Sequence, residues 1–98
     1  MDSKTKTLIH LIDEALKIAE ERLLRRDADA YDPAPVSGLE MIVAALHARR
    51  EMAVAGTLKP FAGHDSVGLN RELLEWGEWG TALFQAIQSV EEFYRDNF

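Results

Sequence analysis

An all-α fold, an antiparallel bundle of three to four helices, is what this sequence predicts, and three observations carry the prediction. Apolar residues recur at helical spacing through the first quarter and the last third of the chain. Signals that start or stop helices flank each apolar stretch. Two intervening stretches, 27–38 and 56–69, concentrate proline, glycine and aspartate and read as loops. The expected helices cover about residues 4–26, 38–55, 70–79 and 82–95, and the 98 residues make a single domain, 1–98.

The first helix separates cleanly on a wheel. Leu8, Ile9, Leu11, Ile12, Ala15, Leu16, Ile18, Ala19 and Leu23 share one half, and Lys6, His10, Asp13, Glu14, Lys17, Glu20, Glu21 and Arg25 share the other. Ser3 is the expected N-cap. Asp13–Lys17 and Glu21–Arg25 stand four apart in the order that favours intrahelical pairing. Arg22, Arg25 and Arg26 gather where the helix dipole favours cations. So wide an apolar face predicts contact with two neighbouring elements.

The stretch "DADAYDPAPVSG" follows, extended around Pro33 and Pro35. It sets Tyr31 among Asp27, Asp29 and Asp32, a surface suited to a basic protein. For the second helix, Ser37 and Glu40 match a capping box and Val36 with Met41 match its hydrophobic staple. Residues 39–55 are apolar almost all round, with a narrow strip of Glu40, His47 and Glu51, so this helix is expected in the middle of the bundle or at a subunit interface. Gly56 is the expected stop.

Asn70 reads as the cap of a third helix, which leads into "EWGEWG". Leu69, Leu73, Trp76, Gly80, Leu83, Ile87, Val90 and Tyr94 keep the spacing 4, 3, 4, 3, 4, 3, 4 across two glycines. Interior glycines cost about 1 kcal/mol each relative to alanine. A break near Gly77–Gly80, with Thr81 capping a fourth helix, is therefore favoured over one continuous helix. The two tryptophans are expected as core anchors at that corner.

Chemistry is sparsely signalled. The chain has no cysteine, which excludes disulfides and thiolate catalysis. The pattern His-x-x-x-Glu occurs twice, at His10/Glu14 and His47/Glu51, and each pair offers two side chains on one helical face. His10 and Glu14 lie on the charged half of their helix, however, so no metal site is expected. Ser3, Ser37, Ser66 and Ser89 read as caps, loop or helix surface, and none stands in G-x-S-x-G. His64–Asp65 has no nucleophile near it, and no glycine pattern cradles a phosphate. Neither catalytic residues nor a cofactor is expected.

Charge narrows the partner. The net charge is −6, and residues 71–98 hold six acids against Arg71 and Arg95. Such a field repels nucleic acid and anionic membranes and favours a basic protein. No apolar run approaches the about 20 residues that span a bilayer, and the N-terminal stretch lacks a signal peptide's pattern, so a cytoplasmic protein is expected. The leading expectation is a small, acidic, non-enzymatic protein-binding domain, an inhibitor of the immunity or antitoxin type. Its expected contacts are Tyr31, Asp29, Asp32, Glu72, Glu75, Glu78, Glu91 and Glu92. Two other classes stand beside it: a homo-oligomeric helical domain, a homodimer through the second helix, and a metal-dependent helical enzyme.

Overall fold

The structure of the protein is a computed structural model, and it describes residues 2–25, 36–58, 73 and 80–98. Among the described residues there are three helices, α1 (Ser3–Leu24), α2 (Val36–Ala55) and α3 (Ala82–Asn97), and no strand. The expected helix over 70–79 lies outside the described residues except for Leu73, which is helical and fully buried.

Helix α1 starts one residue earlier than its serine implied. The cap is Asp2, not Ser3: the Thr5 backbone N–H donates to Asp2 Oδ1 at 2.7 Å, while the Asp2 backbone stays extended. A carboxylate satisfies that orphan donor and faces the positive end of the helix dipole, two advantages a hydroxyl at position 3 cannot combine. The same hydrogen bonds from Thr5 hold the Asp2 carboxyl below its ordinary value of 3.8. A depressed carboxylate stabilises the folded state above its unfolded pKa and loses that contribution as pH falls through the lower, folded value. We expect amide exchange at Thr5 to accelerate as pH drops below the ordinary 3.8, relative to mid-helix amides. Asp2→Asn, which keeps an acceptor without a titrating charge, should remove that dependence.

The first turn of α2 departs further from expectation. Ser37 and Glu40 do not form the start of this helix, because Val36 is already helical and Ser37 lies inside the first turn. Val36 and Met41 remain 40% and 44% exposed, on the outer surface instead of around a cap. A capping box contributes on the order of 1 kcal/mol, and α2 forgoes it by extending two residues further, through the exposed Val36 and Ser37. The other end behaves as expected. Gly56 adopts φ +73°, the Thr57 N–H donates to Met52 O at 3.0 Å, and the Gly56 N–H donates to Ala53 O at 3.3 Å. This is the paired closure of a left-handed helix stop. A Cβ at position 56 would meet nothing within 4 Å, so backbone conformation, not space, is what requires glycine.

Between Leu73 and α3 the chain breaks at Gly80, whose φ of +78° cannot belong to a right-handed helix. Thr81 then caps α3, its hydroxyl accepting from the Phe84 N–H at 3.2 Å. One continuous helix through Gly80–Thr81 is therefore excluded, and the rest of the expected segment before it lies outside the described residues.

The core gathers Leu8, Ile12, Ala15, Leu16 and Ala19 of α1 with Leu39, Ile42 and Leu46 of α2. Leu83, Phe84, Ile87, Val90 and Tyr94 of α3 and Leu73 complete it. Helix α1 packs against both α2 and α3 and is therefore the central helix among those described. Of the two places expected for residues 39–55, the middle of the bundle is not the one taken among the described residues. Only one side of α2 is buried, through Gly38, Leu39, Ile42, Leu46 and Ala53. Helices α2 and α3 meet where the Arg49 guanidinium stands 5.1 Å from the centre of the Tyr94 ring. Tyr94 stacks in turn on Phe98 at 5.5 Å. The arginine so covers an aromatic edge of the core with a cation–π contact.

Candidate interaction surfaces

Three surfaces are positioned by this packing, and each is fixed by the phase of a helix. The first is the polar seam between α1 and α2. Arg50 Nε donates to Asp13 Oδ1 at 2.6 Å, and a second guanidinium nitrogen reaches Oδ2 at 3.4 Å. His47 Nε2 lies 3.2 Å from Glu20 Oε1. Position rises from 13 to 20 on α1 while it falls from 50 to 47 on α2, so the two helices run antiparallel, as expected. The hydrogen bond to Asp13, then the charge of that carboxylate, raises the Arg50 guanidinium above its ordinary value. Asp13 therefore serves a cross-helix pair, not the expected pairing with Lys17 along α1.

An open cleft of about 430 Å³ runs along this seam, with Leu16 and Leu24 among its walls and Asp13, Lys17, Glu20, Glu21, His47 and Arg50 around them. Its two strongest polar groups on α2 are already engaged by α1. All four paired side chains are about half exposed, so the seam orients the helices more than it stabilises them.

The seam also decides the paired His-x-x-x-Glu pattern. His47 turns toward Glu20 of α1 and away from an intrahelical pair with Glu51. His10 and Glu14 are exposed on α1. Among the described residues no group of three or more His, Cys, Asp or Glu side chains is placed to hold a metal ion.

The second surface is the outer side of α3. Gln85, Gln88, Ser89, Glu92 and Asp96 are all exposed, and their spacing puts them on one face. Glu92 accepts from Gln88 Nε2 at 3.1 Å, and the Arg95 guanidinium is 3.1 Å from Asp96, its charge locally matched. Glu91 is half-buried beside this face. Of the expected partner contacts, only Glu91 and Glu92 fall within the described residues. Tyr31, Asp29, Asp32, Glu72, Glu75 and Glu78 lie outside them.

The third surface lies on the helix expected in the middle of the bundle or at a subunit interface. Met41, Ala44, Ala48, Met52 and Ala55 point outward from α2, with both methionines well exposed at 44% and 36%. At 3.6 residues per turn these five positions fall within roughly 80° of one another, centred on Ala48. None carries a charge or a polar side chain. The signal in the sequence was the narrowness of the polar strip Glu40, His47 and Glu51, which leaves an uncharged face beside it.

Among the described residues no helix is long and apolar enough to cross a membrane. No family model matches the sequence, and neither the curated proteins nor the solved structures searched contain a match to it.

Proposed function

We propose that this chain is a non-enzymatic protein-binding domain that docks a basic protein, in the manner of an immunity protein or antitoxin masking the basic site of a toxin. One observation supports the reading above others: the acidic excess of the last third of the chain falls partly on an open helical face. Residues 71–98 hold six carboxylates against two arginines, and within that stretch Glu92 and Asp96 are exposed while Arg95 sits against Asp96. A face of this kind attracts a cationic surface over about 10 Å at ordinary ionic strength, raising the rate of encounter more than the strength of the final complex. The aspartates around Tyr31 and the glutamates at 72, 75 and 78 extend the same charge in sequence.

The test is kinetic. The chain, immobilised at low salt, is used to recover a binding protein from an extract of its source cells, and association is then followed with the purified pair. Replacing Glu72, Glu75, Glu78, Glu91 and Glu92 with glutamine is expected to slow association at least about tenfold at low salt while far-UV circular dichroism is retained. Added salt should slow the unmodified chain toward the same rate. A recovered partner without a basic surface, or an association rate indifferent to both changes, rejects the proposal.

A further inference from the structure

We propose that two copies of this chain pair through the outer face of α2, antiparallel, with Ala48 on the two-fold axis. The argument begins with size. A two-fold axis at Ala48 sets each position n of one copy opposite position 96 − n of the other. Met41 then faces Ala55, Ala44 faces Met52, and Ala48 faces itself. Every large side chain on the stripe meets a small one, the alternation that lets two helical surfaces interdigitate without voids. A stripe made for an unrelated partner has no reason to complement its own reverse.

Charge agrees with the same occupant. The five stripe positions are uncharged, and the nearest carboxylates, Glu40 and Glu51, fall opposite Gly56 and Ala45 under the same rule, so no acid opposes an acid. A basic partner would find no carboxylate on the stripe itself. Area sets the strength. From Met41 to Ala55 the stripe runs about 21 Å, and one helix face of that length buries on the order of 300–400 Å² per copy. That is about half or less of the roughly 800 Å² per partner of a standard stable interface. The pair is therefore at the weak, reversible end of interfaces.

Two copies that each carry −6 repel, so salt strengthens this association by screening, opposite in sign to its effect on a basic partner. Failure of one proposal is thus separable from failure of the other. Sedimentation equilibrium of the full chain, from about 10 μM to about 1 mM, should reveal a monomer–dimer equilibrium that tightens with salt. A48E and A48K, each placing like charges across the axis, should each weaken dimerisation at least about tenfold, because a charge held in an apolar contact without a partner is strongly disfavoured. Mixed one to one, the two variants should recover a dimer, a rescue that only self-facing of position 48 provides. Because the chain has no cysteine, A48C treated with a short bis-maleimide should also link to itself far more efficiently than E14C, on the exposed side of α1.

A monomer at every concentration overturns the proposal, as does a dimer that A48E leaves intact. So does a mixture no more associated than its components, or equal linking of A48C and E14C. A large fall in the melting temperature of dilute A48E would also overturn it, since Ala48 would then already be covered within a single chain.

Discussion

Replacing Ile12 with alanine is expected to cost about 2–5 kcal/mol, a large share of the about 5–15 kcal/mol that holds a domain of this size together. Ile12 is fully buried and lies on α1, the helix that contacts both α2 and α3. The loss has two parts: burial of the removed carbons, and the cavity left where two facing helices cannot both close in. In a chain of this length each kilocalorie lowers the melting temperature by about 4–8 °C, so a fall of about 8–40 °C is expected. The matched control is Met52→Ala at low protein concentration. Met52 is on the outer face of α2 and 36% exposed, and its truncation should change stability by about 0.5 kcal/mol or less. Thermal melts of the two variants side by side measure which helix is central. Comparable losses would restore α2 to the middle and refute the arrangement described above.

That contrast also marks where the sequence was legible. On α1 the apolar half of the wheel is the buried half: Leu8, Ile12, Ala15, Leu16 and Ala19 are enclosed, and Leu11, Ile18 and Leu23 pack against them. Polar residues on the other half told the helix which way to face. On α2 the instruction is thin: Glu40, His47 and Glu51 mark only a narrow exposed strip, and beside it the outer face is alanine and methionine. Both are strong helix formers that lose little when left in water. They announce a helix and leave its phase to that narrow strip. Apolar character all round was therefore read as enclosure, whereas here it divides into a core side around Leu39, Ile42 and Leu46 and a bare side around Ala48.

Local signals behaved according to how much competed with them. Gly56 and Thr81 were read as stop and cap, and both act so, since a left-handed backbone and a well-placed hydroxyl meet little opposition at a helix end. Ser3 and Ser37 were equally good caps in isolation. Neither caps its helix: Asp2 takes the place of Ser3, and α2 already begins at Val36, which leaves Ser37 inside the first turn. The cross-helix pairs Asp13–Arg50 and Glu20–His47 were not legible at all, because they depend on a register between helices that only packing fixes.

Leu73→Ala should match the core mutation on α1, although Leu73 belongs to none of the three helices. Its side chain is fully buried in the same cluster as Leu83, Ile87 and Val90. It also belongs to the 4, 3, 4, 3 series that runs on through Leu83, Ile87, Val90 and Tyr94, all of them buried. The backbone breaks at Gly80, yet Leu73 before the break and the apolar side of α3 after it end in one core. Two segments joined by a left-handed glycine need not share a helical axis to share a core; each needs only to bring its apolar residues to it. Truncation at position 73 should therefore cost about 2–5 kcal/mol. It should act as a global loss, with one cooperative transition at a lower temperature. Melting followed in parallel by tryptophan fluorescence, which reports on Trp76 and Trp79, and by circular dichroism, which reports mostly on α1, α2 and α3, distinguishes the cases. Coincident curves shifted by about 8–40 °C mean that Leu73 ties its segment to the bundle. A fluorescence change that precedes an unshifted helical transition means that the segment opens on its own, and the single core described for this chain would have to be redrawn without it.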